Sequence, residues 1–117
     1  MRTARVFKDG QEAPILHNVQ IADNLWTRFW GLMGRARLGD CDGLLITSSS
    51  SVHTMFMRFT IDVVYLDREG RVTKVATVRP FRASFGRGAR QVLELEEGQA
   101  DRCGIKQGDT LRIVSGE

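Results

Sequence analysis

Short runs of apolar residues, separated by turn signals, dominate the chain and predict a protein built mainly of β-strands. The runs at 5–8 and 15–21 flank the turn signal Asp9-Gly10 and predict a β-hairpin. Further strands are predicted at 43–46, 52–59, 61–66, 71–78, 91–95 and 110–114. A tight turn is expected at 67–70, a loop at 81–89 and a helical turn at 99–103.

One segment has helical periodicity instead. Between residues 23 and 33 the large apolar side chains recur at helical spacing, at Leu25, Trp26, Phe29, Trp30 and Met33. Asp23 is placed to cap this helix, and Gly34 can end it. About seven or eight short strands with one helix predict a mainly β (α+β) single domain over residues 1–117, a small barrel or roll with the short helix packed at one end. A doubly wound nucleotide-binding sheet is excluded because it needs several long helices.

Composition supports an ordinary globular domain. The 117 residues are 42% hydrophobic and 26% charged, so the chain can fold without disulfides or a structural metal. Cys41 and Cys103 lack the spacing of a zinc site, and we expect free thiols, no metal and no cofactor. The first residues lack the apolar segment of an export signal, and no apolar run approaches the ~18 residues of a membrane span. A cytoplasmic protein without membrane contact is expected.

The charge balance limits the role of nucleic acid. The net charge is +3, 14 of the 17 cationic residues are arginine, and acidic residues such as Glu94, Glu96 and Glu97 are interspersed with them. The densest basic stretch comprises Arg79, Arg82, Arg87 and Arg90, with Phe81 and Phe85 between them. Phosphate contact and base stacking are available there. With so small a net charge, we favour a solvated loop whose phenylalanines fold back on the core, and nucleic acid is not the expected partner.

Candidate chemistry centres on His53 and Asp62. If the strands that carry them pair as a hairpin, then His53, Thr54, Arg58 and Asp62 meet at one rim. An imidazole near a carboxylate is an acid-base pair or half of a metal site. The alternative is structural, with Asp62 bonding backbone amides at a bend and His53 capping a strand. Met57 belongs to a methionine pair that fits either a ligand surface or the core.

The sequence resembles one known family. The matching residues are Arg28, Gly31-Leu32-Met33, Arg35, Gly43-Leu44-Leu45-Ile46, His53-Thr54, Met57-Arg58-Phe59, Ile61-Asp62-Val63, Tyr65-Leu66-Asp67, Val92-Leu93-Glu94-Leu95, Gly104-Ile105 and Gly108-Asp109. This pattern is similar to the domain of unknown function 192 family and covers the chain from about Ile15 onward. The resemblance implies a compact, mostly β single domain and places the clusters around Arg35 and His53 together, but it implies no reaction.

One departure from the family separates this chain from many relatives. They carry Pro-Cys just upstream of the histidine, where this chain has Ser48-Ser49. A hydroxyl is a far weaker nucleophile and soft-metal ligand than a thiolate. A cysteine-dependent role is therefore not expected here.

These observations leave several functional hypotheses. The first is a non-enzymatic domain that binds a polar or anionic small molecule, or a partner peptide, through Arg35, His53, Thr54, Met57, Arg58 and Asp62. The second is a hydrolase or transferase in which His53 is the general base, oriented by Asp62. In the third, every matched residue only determines the fold. The tail from Glu97 to Leu111 also resembles the helix-turn-strand segment of peptide-binding PDZ domains.

Overall fold

The structure is a computed structural model that describes residues 2–22, 42–53 and 59–116. Within these ranges the chain forms nine β-strands and one short helix. The strands are β1 Thr3–Lys8, β2 Leu16–Ala22, β3 Gly43–Thr47, β4 Ser51–His53, β5 Ile61–Leu66, β6 Val72–Val78, β7 Ala83–Phe85, β8 Gln91–Glu96 and β9 Leu111–Gly116, and the helix is α1 Gln99–Arg102. The helix predicted at 23–33 lies outside the described residues.

Seven of these strands form one sheet in the order β6-β5-β8-β3-β2-β1-β9. The predicted first hairpin is confirmed, because β1 pairs antiparallel with β2 from Thr3 opposite Gln20. β2 and β3 are parallel, so the chain must cross over between them, and the other pairings in this sheet are antiparallel. The predicted mainly β architecture is therefore confirmed.

The two edge strands of the sheet, β6 and β9, meet at one corner. The Val72 N–H donates to the Asp109 carbonyl at 2.7 Å, and the Gly108 N–H donates to the Val72 carbonyl at 2.8 Å. Gly70 has φ +85°, and a Cβ there would overlap the Leu111 carbonyl oxygen, so this corner requires glycine. Between the described strands the pairing stops at this corner. The sheet is not closed into a barrel, and the predicted barrel or roll is not confirmed.

Buried apolar side chains form two clusters, one on each face of the sheet. The first contains Ala4, Val6, Leu16, Val19, Ile21, Leu45, Val64, Leu66, Val72, Leu93, Leu95, Ala100, Ile105 and Leu111. The second contains Ala22, Leu44, Ile46, Val52, Ile61, Val63, Tyr65, Val78, Ala89 and Val92. Successive residues of a strand point to opposite faces, and β5 therefore contributes to both clusters. Burial on both faces explains why five of its six residues are apolar, with Asp62 as the exception.

A two-stranded ribbon of β4 and β7 packs against the second cluster through Val52. The sequence predicts only a loop at 81–89. This prediction is wrong for residues 83–85, which form β7. Its three residues, Ala83-Ser84-Phe85, are too few to show an alternating pattern, and the pairing with β4 is a tertiary contact. In the part of the chain that the structure describes, no helix combines the length and the hydrophobicity needed to span a bilayer.

Candidate functional site

Most of the predicted site residues lie outside the part of the chain that the structure describes. Arg35, Thr54, Met57 and Arg58 lie outside the described residues. His53 ends β4, where its backbone pairs with Ala83 of β7. The binding role of these five residues stays a prediction.

The strands of His53 and Asp62 do not form the hairpin that would bring the two residues to one rim. Both edges of β5 are already occupied, because β6 pairs along one edge and β8 along the other. β4 pairs with β7 and covers the second-cluster face. The Asp62 side chain points to the opposite face, where it contacts α1. The condition for a shared rim, that these two strands pair as a hairpin, is therefore not met.

Asp62 holds α1 against the sheet. Its carboxylate is buried, with 4% of the residue exposed, and it accepts three hydrogen bonds. The Gly98 and Ala100 N–H groups donate to Oδ2 at 3.0 and 3.1 Å, and the Thr77 hydroxyl donates to Oδ1 at 2.9 Å. Gly98, the N-cap residue of α1, has no side chain that can cap, so a carboxylate from β5 satisfies these orphan donors. Asp62 thus bonds backbone amides, as the structural alternative expects. The amides belong to the start of α1, however, and not to a bend.

An open hollow lies beside β4 and offers a site made of described residues. It has a volume of about 550 Å³ and is lined by Thr47, Ser48, Ser49, Ser50, Asp67, Arg68, Ala89, Arg90 and Gln91. We call it the serine hollow. Three segments that are distant in sequence build it: the loop after β3, the turn after β5 and the approach to β8.

Backbone hydrogen bonds fix the walls of the serine hollow. The Ser49 N–H donates to the Arg90 carbonyl at 2.9 Å, and the Arg90 N–H donates to the Leu66 carbonyl at 2.7 Å. The Ser49 hydroxyl donates to the Ser51 carbonyl at 2.9 Å, and Ser48 adopts φ +57°. A loop tied in this way presents its remaining polar groups from a fixed backbone, which lowers the ordering cost of binding.

The side chains around the serine hollow carry opposite charges. Arg68 and Arg90 are exposed and keep their charge at any working pH. Asp67 is the acidic member, and its Oδ1 accepts the N–H groups of Glu69 and Arg71, each at 2.9 Å. These bonds commit that oxygen to the turn. Two guanidinium groups beside serine hydroxyls can receive a carboxylate or a phosphate.

Glu94 on β8 is a buried acid. It is 5% exposed and stands opposite Leu44 of β3 and Val63 of β5 on the second-cluster face. Burial raises the pKa of Glu94 from 4.5 to about 7. In the sequence, Glu94 is counted only among the acidic residues interspersed with the basic ones, and its burial was missed. Its position between Leu93 and Leu95 in an apolar run is the signal that identifies it as buried.

Tyr65 attaches the ribbon to the sheet. Its hydroxyl donates to Ser84 Oγ at 2.7 Å, and the Lys74 ammonium lies 5.5 Å from the centre of its ring. Burial raises the pKa of Tyr65; the Ser84 hydrogen bond opposes this rise, and the Glu94 charge adds to it. Tyr65 therefore fixes β7 to the sheet through Ser84.

We expect Gly86→Ala to destabilise the protein. A Cβ at this position would overlap the Tyr65 ring, so the ribbon must move or the ring must leave its rotamer. Overpacking of this kind costs typically about 1–3 kcal/mol. Urea unfolding measures the loss, with Gly88→Ala as a control, because a Cβ at Gly88 meets open space although its φ of +77° also carries strain. Equal losses in the two variants would contradict the contact with Tyr65.

Known proteins resemble this chain in sequence and in fold. The family model of the domain of unknown function 192, described as "Uncharacterized ACR", matches residues 5–113. The chain belongs to this family. The resemblance seen in the sequence is thereby confirmed, and the match includes all three segments of the serine hollow.

Relatives of this family occur among archaea. A UPF0127 protein of Thermococcus sibiricus is 31% identical over 98 residues, which cover 80% of this chain and 64% of the relative. The match thus spans less than two thirds of that protein. A UPF0127 protein of Pyrococcus furiosus is 33% identical over 97 residues, which cover 80% of this chain and 84% of the relative.

Two solved structures share the fold. A protein of Sinorhizobium meliloti, described as a candidate transcription regulator, superposes with a TM-score of 0.78 at 20% identity and covers 96% of this chain and 92% of its own. A protein of unknown function from Novosphingobium aromaticivorans superposes with a TM-score of 0.77 at 24% identity and covers 94% of this chain and 83% of its own. At these identities the likeness shows the fold alone.

Proposed function

We propose that this domain binds a small anion, a carboxylate or a phosphate, in the serine hollow. The observation that carries the proposal is the convergence of two exposed arginines, Arg68 and Arg90, with three serines around one open concavity. A planar guanidinium forms paired, charge-assisted hydrogen bonds with such groups. An anionic ligand is also expected from the sequence, but the residues that line the proposed site are different. Asp62 is not among them, because its carboxylate holds α1 against the sheet.

Two of the predicted residues lie close to this hollow in sequence. The serine loop continues directly into β4, which ends at His53, and Thr54 follows. The enzymatic alternative, with His53 as a base oriented by Asp62, gains no support from the three donors that hold the Asp62 carboxylate.

Thermal unfolding with inorganic phosphate tests the proposal. A ligand that binds only the folded protein stabilises it, and we expect the Tm to rise by roughly 6 °C when phosphate stands at ten times its Kd. The Arg68→Gln/Arg90→Gln variant should lose this rise. Arg5→Gln, which removes one exposed charge from β1, three strands away from β8 in the sheet, should keep it.

Chloride at matched ionic strength separates binding from screening. The proposal fails if chloride raises the Tm as much as phosphate does, or if the double variant responds like the wild type. Succinate in place of phosphate shows whether a carboxylate is the preferred anion.

A further inference from the structure

Two phenylalanines stand exposed beside the basic stretch. Phe81 is 54% exposed and Phe85 is 61% exposed, and they are the large apolar side chains most open to solvent among the residues that the structure describes. The expectation that these rings fold back on the core is wrong. Exposed apolar surface rimmed by polar residues is a feature of interaction sites.

Phe85 is held outward by its neighbours. On β7 the preceding residue, Ser84, points to the sheet and accepts the Tyr65 hydrogen bond at 2.7 Å, so alternation directs Phe85 away from it. The Lys74 ammonium donates to the Phe85 carbonyl at 2.8 Å. Gly86 packs so closely against Tyr65 that a Cβ at this position would overlap the ring. The ring therefore projects from a fixed backbone, which reduces the entropy lost when a ligand stacks on it.

All charged residues of the same segment are basic. Residues 79–90 contain four arginines and no aspartate or glutamate. Arg87 follows Phe85 by two positions and is exposed, and Lys74 adds a further positive charge next to the Phe85 carbonyl. Phe81, Arg82, Phe85 and Arg87 are all exposed within seven positions of the chain, and we call these four residues the Phe-Arg face.

We propose that the Phe-Arg face binds single-stranded nucleic acid, with bases stacked on Phe81 and Phe85 and phosphates near Arg82 and Arg87. Every base has a π-face, and single-strand binders combine such rings with a basic surface that follows the backbone. Paired bases cannot stack on these rings, so a duplex is not the expected ligand. The proposal goes beyond the anion site, because Phe85 and Arg87 lie outside the lining of the serine hollow.

An acidic peptide is the competing occupant. Peptides gain specificity by placing side chains in a groove or by adding a strand to a sheet edge. Here both phenylalanines are more than half exposed, at 54% for Phe81 and 61% for Phe85. Exposed phenylalanine rings with Arg82 between them and Arg87 after them favour unstacked bases over peptide side chains.

Fluorescence anisotropy with a labelled twelve-residue oligouridylate tests this proposal on the full chain. We expect Phe85→Ala to weaken binding about tenfold or more, with an unchanged salt dependence, and Phe85→Trp to restore it. We expect Arg87→Ala to weaken binding and to reduce the slope of log K against log salt by about 0.7, the effect of one lost phosphate contact. Arg5→Ala, matched in charge, should change neither quantity.

Three outcomes would overturn the proposal: Phe85→Ala binds like the wild type, Arg5→Ala weakens binding as much as Arg87→Ala, or polyglutamate of equal charge displaces the oligouridylate equally well. The last result would assign the face to an acidic peptide. The Tm rise with inorganic phosphate reports separately on the serine hollow, and it should persist in Phe85→Ala. Failure of one proposal can thus be told from failure of the other.

Discussion

Asp62→Ala is expected to lower the free energy of unfolding by roughly 3–5 kcal/mol, because it leaves buried donors without an acceptor. The variant removes the acceptor of the Gly98 and Ala100 N–H groups at the start of α1 and of the Thr77 hydroxyl on β6. α1 would then lose the group that fixes it to β5. Urea unfolding followed by far-UV circular dichroism measures the loss.

Two further variants show where this effect comes from. Asp62→Asn keeps an oxygen that can accept the backbone N–H groups, so it should lose much less stability than alanine. Asp67→Ala also removes a carboxylate that accepts two N–H groups, but in an exposed turn, and should lose only about 1 kcal/mol. If Asp62→Ala were no worse than Asp67→Ala, Asp62 would not hold α1, and a functional role for its carboxylate would return.

Glu94→Gln is expected to abolish most of the pH dependence of stability between pH 4.5 and about 7. The folded-state pKa of Glu94 is raised to about 7 from 4.5, so the native state favours the protonated acid. Its contribution is fully present below pH 4.5 and declines as the pH rises to about 7, by roughly 3 kcal/mol in total. At pH 8 the glutamine variant should therefore be more stable than the wild type by roughly that amount.

Unfolding in urea at a series of pH values checks this expectation. Glu69→Gln is the matched control, because Glu69 is exposed in the turn after β5 and should leave the pH profile unchanged. A wild-type stability that is flat from pH 4.5 to 7, or a Glu94→Gln variant that is less stable at pH 8, would contradict a buried acid with a raised pKa.

Local patterns were sufficient to predict most of the fold. The hairpin of β1 and β2, the strands β3, β5, β6, β8 and β9 and the short helix α1 all follow from periodicity and turn residues. β7 did not follow, because three residues carry no periodic signal and the strand exists through its pairing with β4. The open sheet did not follow either, since closure depends on how its edges meet.

The site was predictable in part. The structural alternative for Asp62 follows from a short carboxylate near backbone amides, and the structure shows that bonding, although the donors belong to α1. The serine hollow could not be derived, because strand order brings its three segments together and no motif marks Arg68. The exposure of Phe81 and Phe85 was missed because net charge, an average over the chain, was weighed against a local cluster.

The serine hollow and the Phe-Arg face are neighbours. The Gly86 N–H donates to the Ser50 carbonyl at 2.8 Å, which ties the end of β7 to the serine loop. Arg90 lines the hollow at the end of the same basic stretch. Competition between inorganic phosphate and oligouridylate would show whether one ligand occupies both the hollow and the Phe-Arg face.

A titration of inorganic phosphate into 15N-labelled protein, followed by amide NMR, tests the location of the anion site most directly. We expect concentration-dependent shifts at Ser48, Ser49, Ser50, Arg68 and Arg90, which line the serine hollow, and none at Gly98 or Ala100, which do not line it. Shifts confined to the start of α1, or no shift at phosphate concentrations that raise the Tm, would contradict an anion site in the serine hollow.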